Sequence, residues 1–229
     1  MTNVGTVASL WRYPVKSMRG EELSDLFVGR TGVRGDRLLA FRSSAAPKEF
    51  PYFTAREQRQ MLLYRPRYRA VDTAVDVETP DGDTLAIDDP LLISRLRAGA
   101  DAKHQLTLMH SEQALTDAQP VSVISLQTVR ALADEIAAPT DERQFRANIY
   151  LDLPESAGFA ENKFVGRSLR VGREVVLSVI ERDPRCMMIT LDPETAAKTP
   201  ALLKQVAVAH GGTAGVYATV LAEGSIHAG

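Results

Sequence analysis

The chain has 229 residues, a formal net charge of −2, 45% apolar residues and 24% charged residues, values typical of a globular protein. They exclude a disordered, collagen-like or coiled-coil chain, and the length corresponds to one large domain or two small ones. No apolar run approaches the roughly 20 residues of a membrane span, and the N-terminus lacks the apolar run of a secretory signal, so we expect a cytoplasmic protein.

Short β-prone runs separated by turn signals fill the first 90 residues, which favours a small barrel or curled sheet. The predicted strands cover residues 5–15, 21–28, 37–42, 61–64, 70–77 and 84–87. A helix is predicted from Pro90 to Gly99, because Asp88 or Asp89 can cap it and proline suits the first helical position.

Helices and strands alternate in the rest of the chain. Helices are predicted after Ser125 and from Thr199 through Ala209, and strands at residues 148–151, 168–171, 175–180 and 215–221. We therefore predict an α+β, β-dominant fold with a domain boundary near residue 100, giving domains 1–100 and 101–229.

Positive charge is concentrated near the N-terminus. Residues 1–69 hold 13 Lys/Arg and 6 Asp/Glu, whereas the remaining residues hold 14 and 23. This asymmetry indicates an anionic ligand, an electrostatic match between domains, or simply a solvated basic face. A pI of about 6.1 and the lack of a nucleic-acid-binding signature argue against nucleic acid as the partner.

Cys186 is the only cysteine and the first candidate for chemistry. Pro184 is expected to end the preceding strand near Arg182 and so to place Cys186 on a loop. Arg182 and Arg185 would favour the thiolate, which attacks electrophiles and binds soft metals. The adjacent Met187–Ile189 run favours the alternative, a small core residue. One cysteine and four dispersed histidines do not have the spacing of a zinc site.

Lys16 and Ser17 follow a strand that Pro14 interrupts. Both can donate to a phosphate at the strand end, with the lysine acting as a point charge. The alternative is a solvated lysine beside a turn serine.

Several arginines suit bidentate recognition of an anion. They are Arg37, Arg56 and Arg146, and Asn148 is expected to share one side of a strand with Arg146 because residues two apart face the same way. The alternative is a structural ion pair, for instance with Asp36 or Asp141.

These segments occur in one order along almost the whole chain: residues 4–17, 35–37, 54–56, 145–148, 185–195, 215–220 and 224–226. Together they resemble the MOSC proteins that carry an N-terminal β-barrel domain, a family that includes the mitochondrial amidoxime-reducing component and bacterial YcbX-type proteins. The resemblance implies a MOSC N-terminal β-barrel domain packed on a mostly-β MOSC domain with a few helices.

The resemblance also implies a ligand, the molybdenum cofactor, with Cys186 as the catalytic residue and the thiolate ligand of the metal. The positions that match residues lining the pterin and its phosphate are Lys16, Ser17, Arg37, Arg146, Asn148, Arg185 and Tyr217. The implied activity is reduction of a small N-hydroxylated substrate. Electrons would come from a separate protein that carries flavin, haem or an iron–sulfur centre.

Two other functions stay open from the sequence. Cys186 is also suited to carry a persulfide for sulfur transfer, or the chain binds the cofactor without catalysis. Three departures bear on these alternatives. Asp117-Ala-Gln-Pro stands where some relatives have hydroxyl residues, Ala196 replaces a common glycine, and relatives continue past the position of Gly229 with a further short strand.

Overall fold

The computed structural model describes residues 3–69, 74–154 and 156–229. The first strands are β1 Thr6–Arg12, β2 Glu21–Leu23, β3 Asp25–Gly29, β4 Gly32–Val33, β5 Leu39–Ser43, β6 Tyr52–Phe53, β7 Arg65–Tyr68, β8 Val75–Glu78 and β9 Thr84–Ala86. The later strands are β10 Leu106–His110, β11 Val121–Ser125, β12 Ile149–Asp152, β13 Ser168–Val171, β14 Val175–Pro184, β15 Thr213–Ala222 and β16 Gly224–His227.

Helices are few and short in the described residues. The α-helices are α1 Pro90–Ala98, α2 Leu126–Ile136 and α3 Pro200–Ala209, and the 3-10 helices are Arg59–Leu63, Glu142–Phe145, Ala160–Phe164 and Met187–Thr190. None of these helices is long and apolar enough to cross a membrane. The predicted α+β, β-dominant fold class is confirmed.

The strands form one large sheet and three small ones. The seven-stranded sheet has the order β13-β14-β15-β11-β12-β1-β2 and is antiparallel except where β11 pairs with β12. The three-stranded sheets are β10-β5-β6, β16-β3-β4 and β7-β8-β9. Strands from the two ends of the sequence therefore share sheets, because β1 pairs with β12 and β3 pairs with β16.

Strand pairing also crosses the predicted domain boundary. β10 lies after residue 100 but pairs over its whole length with β5, and β1 lies before it but belongs to the large sheet. The division into residues 1–100 and 101–229 stays a prediction.

Several predicted strands differ from the structure: the run at 5–15 ends at Arg12, and the run at 21–28 is divided at Ser24 into β2 and β3. Residues 61–64 lie mostly in the 3-10 helix Arg59–Leu63, because the Gln58 side chain accepts from the Gln60 N–H and caps a helical turn. The run predicted at 70–77 begins outside the described residues, and its described strand is β8. The helices agree better: Asp89 caps α1 and Ser125 caps α2, each accepting from a backbone N–H of the first turn.

Two apolar clusters pack on opposite faces of the large sheet. One includes Val123, Leu177 and Val216. The other includes Phe145 and Ile189 together with residues of α2 and α3. The second cluster fixes the 3-10 helices Glu142–Phe145 and Met187–Thr190 side by side, so the residues at their ends meet at one end of the sheet.

Candidate functional site

One cavity is lined by all eight residues that the family resemblance implies for the cofactor site. A water-sized probe can occupy about 100 Å³ inside it, and its mouth is open to solvent. Its lining includes Lys16, Ser17, Arg37, Phe50, Arg56, Asp117, Ser122, Arg146, Asn148, Asp183, Arg185, Cys186, Met188 and Tyr217.

Cys186 lies between a strand end and a helical turn. β14 continues to Pro184, two residues beyond the predicted end near Arg182, and Cys186 is the N-cap of the 3-10 helix Met187–Thr190. The side chain is half-buried and lines the cavity, so it is not enclosed in the core. Arg182 is exposed and does not line the cavity, whereas Arg185 does.

Arg37 and Arg146 stack on Tyr13, with guanidinium carbons 4.5 and 4.3 Å from the ring centroid. Both have left-handed backbone conformations, φ 49° and 53°. Arg146 is therefore not in a strand with Asn148, as the sequence suggested, because β12 begins only at Ile149. The left-handed turn, rather than strand alternation, brings Arg146 to the cavity.

The two arginines differ in their partners. Arg37 forms an ion pair with the fully buried Asp36 and donates from Nη2 to the Arg146 carbonyl at 2.8 Å. Arg146 donates from Nη1 to the Met18 carbonyl at 2.7 Å, but its buried Nη2 has no hydrogen-bond partner. Burial and the nearby Arg37 charge lower the pKa of Arg146 to about 10.

Lys16 is buried, so the alternative of a solvated lysine is wrong. Its Nζ donates to Asp117 Oδ1 at 2.6 Å and to the Leu115 carbonyl at 2.8 Å. Burial lowers the pKa of Lys16, and the Asp117 carboxylate opposes that shift. Ser17 is buried beside it with a left-handed φ of 67°.

A hydrogen-bonded group of side chains forms the floor of the cavity, where β11, β15 and β14 lie side by side. Asp183 is only 2% exposed; its Oδ2 accepts from Ser122 Oγ at 2.8 Å, and its carboxylate hydrogen-bonds with Tyr217. Burial raises the pKa of Asp183, and burial together with the Asp183 charge raises that of Tyr217. Asn148 Oδ1 accepts from the Ser122 N–H, which ties β12 to this floor.

Arg185 spans the cavity wall. It donates from Nε to the Ala214 carbonyl and from Nη1 to the Phe145 carbonyl, each at 2.7 Å. Its Nη2 lies 2.9 Å from Asp183 Oδ2 but makes no hydrogen bond of normal geometry. Arg146 thus keeps one buried Nη2 without any partner, whereas the Nη2 of Arg185 has its ion-pair contact with Asp183.

The arrangement suits an anion with several acceptor oxygens. Of the cavity's five cations, three face a carboxylate: Lys16–Asp117, Arg37–Asp36 and Arg185–Asp183. Arg146 and the more exposed Arg56 have no ion pair among the described residues. Buried guanidinium donors without a protein partner favour a ligand that supplies acceptors.

Among the polar cavity residues, the sequence analysis did not single out Ser122 or Asp183, and it named Asp117 only as a departure from the family pattern. Strand alternation does not predict Asp183, because Glu181 is exposed and the register of β14 shifts between Val179 and Glu181 and again between Arg182 and Pro184. Across the described residues, no group of three or more His, Cys, Asp or Glu side chains is placed to hold a metal ion. A metal at Cys186 would therefore need ligands from a cofactor.

A MOSC N-terminal beta barrel domain profile matches residues 4–137, and a MOSC domain profile matches residues 110–229. No curated protein sequence is similar enough to this chain to count as a match.

Solved structures with a similar fold include YuaD from Bacillus subtilis, with 11% identity over 98% of this chain and 92% of that one and a TM-score of 0.52. YiiM from Geobacillus stearothermophilus is 19% identical over 48% and 50% of the two chains, with a TM-score of 0.36. YiiM from Escherichia coli is 13% identical over 94% and 65%, with a TM-score of 0.39. YuaD supports the fold alone, since the identity is low.

Each of the two family profiles covers more than half of the chain, and they overlap at residues 110–137. MOSC domains as a group are associated with the molybdenum cofactor. The chain belongs to the MOSC domain family and carries that family's N-terminal β-barrel domain as well as the MOSC domain itself.

Proposed function

We propose that the chain is an oxidoreductase that holds the molybdenum cofactor in this cavity and reduces N-hydroxylated compounds. Electrons come from a separate protein with a flavin, haem or iron–sulfur centre. The observation that carries the proposal is the buried guanidinium of Arg146, which has no ion pair among the described residues and an Nη2 without a hydrogen-bond partner, in the cavity that Cys186 lines.

The residues present fit such a group. Its phosphate is an anion with several oxygens, which matches the uncompensated guanidinium of Arg146 and the donors of Lys16 and Ser17. The half-buried Cys186 thiol supplies a soft sulfur ligand for a metal that the dithiolene holds. When bound, the cofactor supplies the two-electron chemistry at molybdenum.

The other cavity residues have supporting roles in this proposal. Arg37 and Arg146 orient the ligand's anionic end, while Asn148 keeps the β11–β12 floor in register by bonding Ser122 N–H and the Trp11 carbonyl. Tyr217 keeps its proton at neutral pH, because burial and Asp183 raise its pKa, and so presents a neutral phenol to the cavity. Reduction of a hydroxylamine consumes two electrons and two protons and releases the amine and water.

The test is molybdenum per chain, measured by elemental mass spectrometry on protein from a host that makes the cofactor. We expect near-stoichiometric metal in the wild type, loss of metal in Cys186→Ser, and an unchanged circular dichroism spectrum. Metal content unaffected by Cys186→Ser contradicts the ligand assignment. Absence of metal, together with one added sulfur atom on Cys186 in the intact mass, supports sulfur transfer instead.

A metal-loaded sample then allows the activity itself to be measured. Chemically reduced viologen replaces the unidentified electron donor, and hydroxylamine and an amidoxime serve as substrates. Amine or amidine formation that requires the loaded wild type supports the proposal. A loaded protein that reduces neither compound refutes the substrate class while leaving cofactor binding intact.

A further inference from the structure

Asp117 differs from the other two carboxylates that face cavity cations. Asp36 and Asp183 are buried and have additional donors, the Tyr13 N–H and Ser122 Oγ respectively. The Asp117 side chain is 48% exposed, and its side-chain hydrogen bond in the described structure is the one from Lys16. Asp117 is therefore the carboxylate of the three that leaves its cation most easily.

Lys16 in turn is bound by one segment of chain. Both side-chain hydrogen bonds of its ammonium go to residues 111–120, at the Leu115 carbonyl and at Asp117. This segment connects β10 to β11 and has no regular secondary structure. Leu115 is also held by its N–H, which donates to the Arg37 carbonyl at 2.9 Å. The backbone of the segment is thus anchored independently of Asp117.

We propose that Asp117 is an internal counter-ion that occupies Lys16, and that an anionic ligand must displace it, so that Asp117 determines which anions the cavity accepts. The inference rests on the anion-binding part of the proposed function. A monoanion offers the ammonium no more charge than Asp117 does, and Asp117 competes intramolecularly at an effective concentration in the millimolar range or above. A phosphate dianion offers more charge and can also accept from the unpartnered Nη2 of Arg146.

The physical consequence is selectivity by charge. In the wild type, a singly charged anion gains little interaction free energy by replacing Asp117, whereas a doubly charged anion gains more. Without the Asp117 charge, Lys16 becomes an uncompensated buried cation and accepts either.

Isothermal titration calorimetry of the metal-free chain at low ionic strength tests this, with inorganic phosphate and nitrate as probes. We expect Asp117→Asn to bind phosphate on the order of tenfold more tightly than the wild type, and nitrate to bind measurably only to the variant. Glu112→Gln is the matched control, since it removes one exposed carboxylate from the same segment without touching Lys16. That control should change phosphate affinity less than about twofold.

A Lys16→Met background separates competition from a general charge effect. There, Asp117→Asn should change phosphate affinity less than about twofold, because the competing pair no longer exists. The inference is overturned if Asp117→Asn binds phosphate no more tightly than the wild type, including the case in which neither binds. It is also overturned if the tightening survives in Lys16→Met or is matched by Glu112→Gln. These readouts need no molybdenum, so they fail or succeed independently of the metal measurement.

Discussion

Replacing Arg146 by methionine is expected to raise the free energy of unfolding of the ligand-free chain. The pKa of Arg146 falls from 12.5 to about 10 on folding, and at 1.36 kcal/mol per unit the charged form is disfavoured by about 3 kcal/mol. Methionine has no charge to desolvate and keeps a sulfur–aromatic contact with Tyr13. It loses the bond to the Met18 carbonyl and the cation–π stack, together about 1–2 kcal/mol beyond what methionine restores.

The net expectation is a gain of about 1–2 kcal/mol, or a rise in Tm of roughly 3–6 °C for a chain of this size. Arg37→Met is the matched control, because Arg37 is also buried, left-handed and stacked on Tyr13. It leaves the buried Asp36 without its cation and should lower stability by about 3–5 kcal/mol. Urea unfolding followed by circular dichroism measures both. A loss of stability in Arg146→Met comparable to that of Arg37→Met would refute the reasoning.

Three further changes test other parts of the structure. Burial raises the pKa of Tyr13 to about 12. The protonated phenol therefore contributes about 3 kcal/mol of stability below pH 10, and this contribution is lost as the pH rises from 10 to 12. In urea unfolding, Tyr13→Phe should lose less stability over that pH range than the wild type. Ala196→Gly should stabilise by about 1 kcal/mol, because Ala196 has a left-handed φ of 55°, and an unchanged or lower urea midpoint contradicts this. Glu194 accepts from Arg19 and Arg143 but is half-exposed. Glu194→Gln should therefore lower stability by about 1 kcal/mol in low salt and by less in high salt. Urea unfolding midpoints measured at the two ionic strengths check this.

Local signals predicted the helices, whereas strands that depend on distant partners were missed. α1 and α2 carry their caps in the adjacent sequence, Asp89 and Ser125, so their starts are readable without tertiary information. The two-residue strand Tyr52–Phe53 exists only because β5 lies beside it. An apolar run as short as 61–64 fits a strand or a helical turn equally well. The hydrogen bond from the Gln60 N–H to the Gln58 side chain favours the turn.

The cavity residues were predicted through a family pattern, but their pairing was not. Sequence order identifies Lys16 and Arg146 as candidates for anion binding without saying which of them already has a counter-ion. Asp117 is about 100 positions from Lys16, so no spacing rule connects the two. Which cation stays uncompensated is a property of the folded chain, and here it is Arg146 among the buried cavity cations that the structure describes.

That distribution of charge links stability to binding in this cavity. An ion pair such as Arg37–Asp36 satisfies both partners inside the protein, and therefore leaves little interaction free energy for a ligand. Arg146 is desolvated by the fold and its Nη2 has no acceptor, so the part of the burial cost that the Met18 bond and the Tyr13 stack do not offset is recovered when an anion binds. The stability that Arg146→Met gains in the empty chain is thus an estimate of the binding free energy that Arg146 supplies. A variant that is more stable when empty and that no longer binds phosphate would connect the two directly.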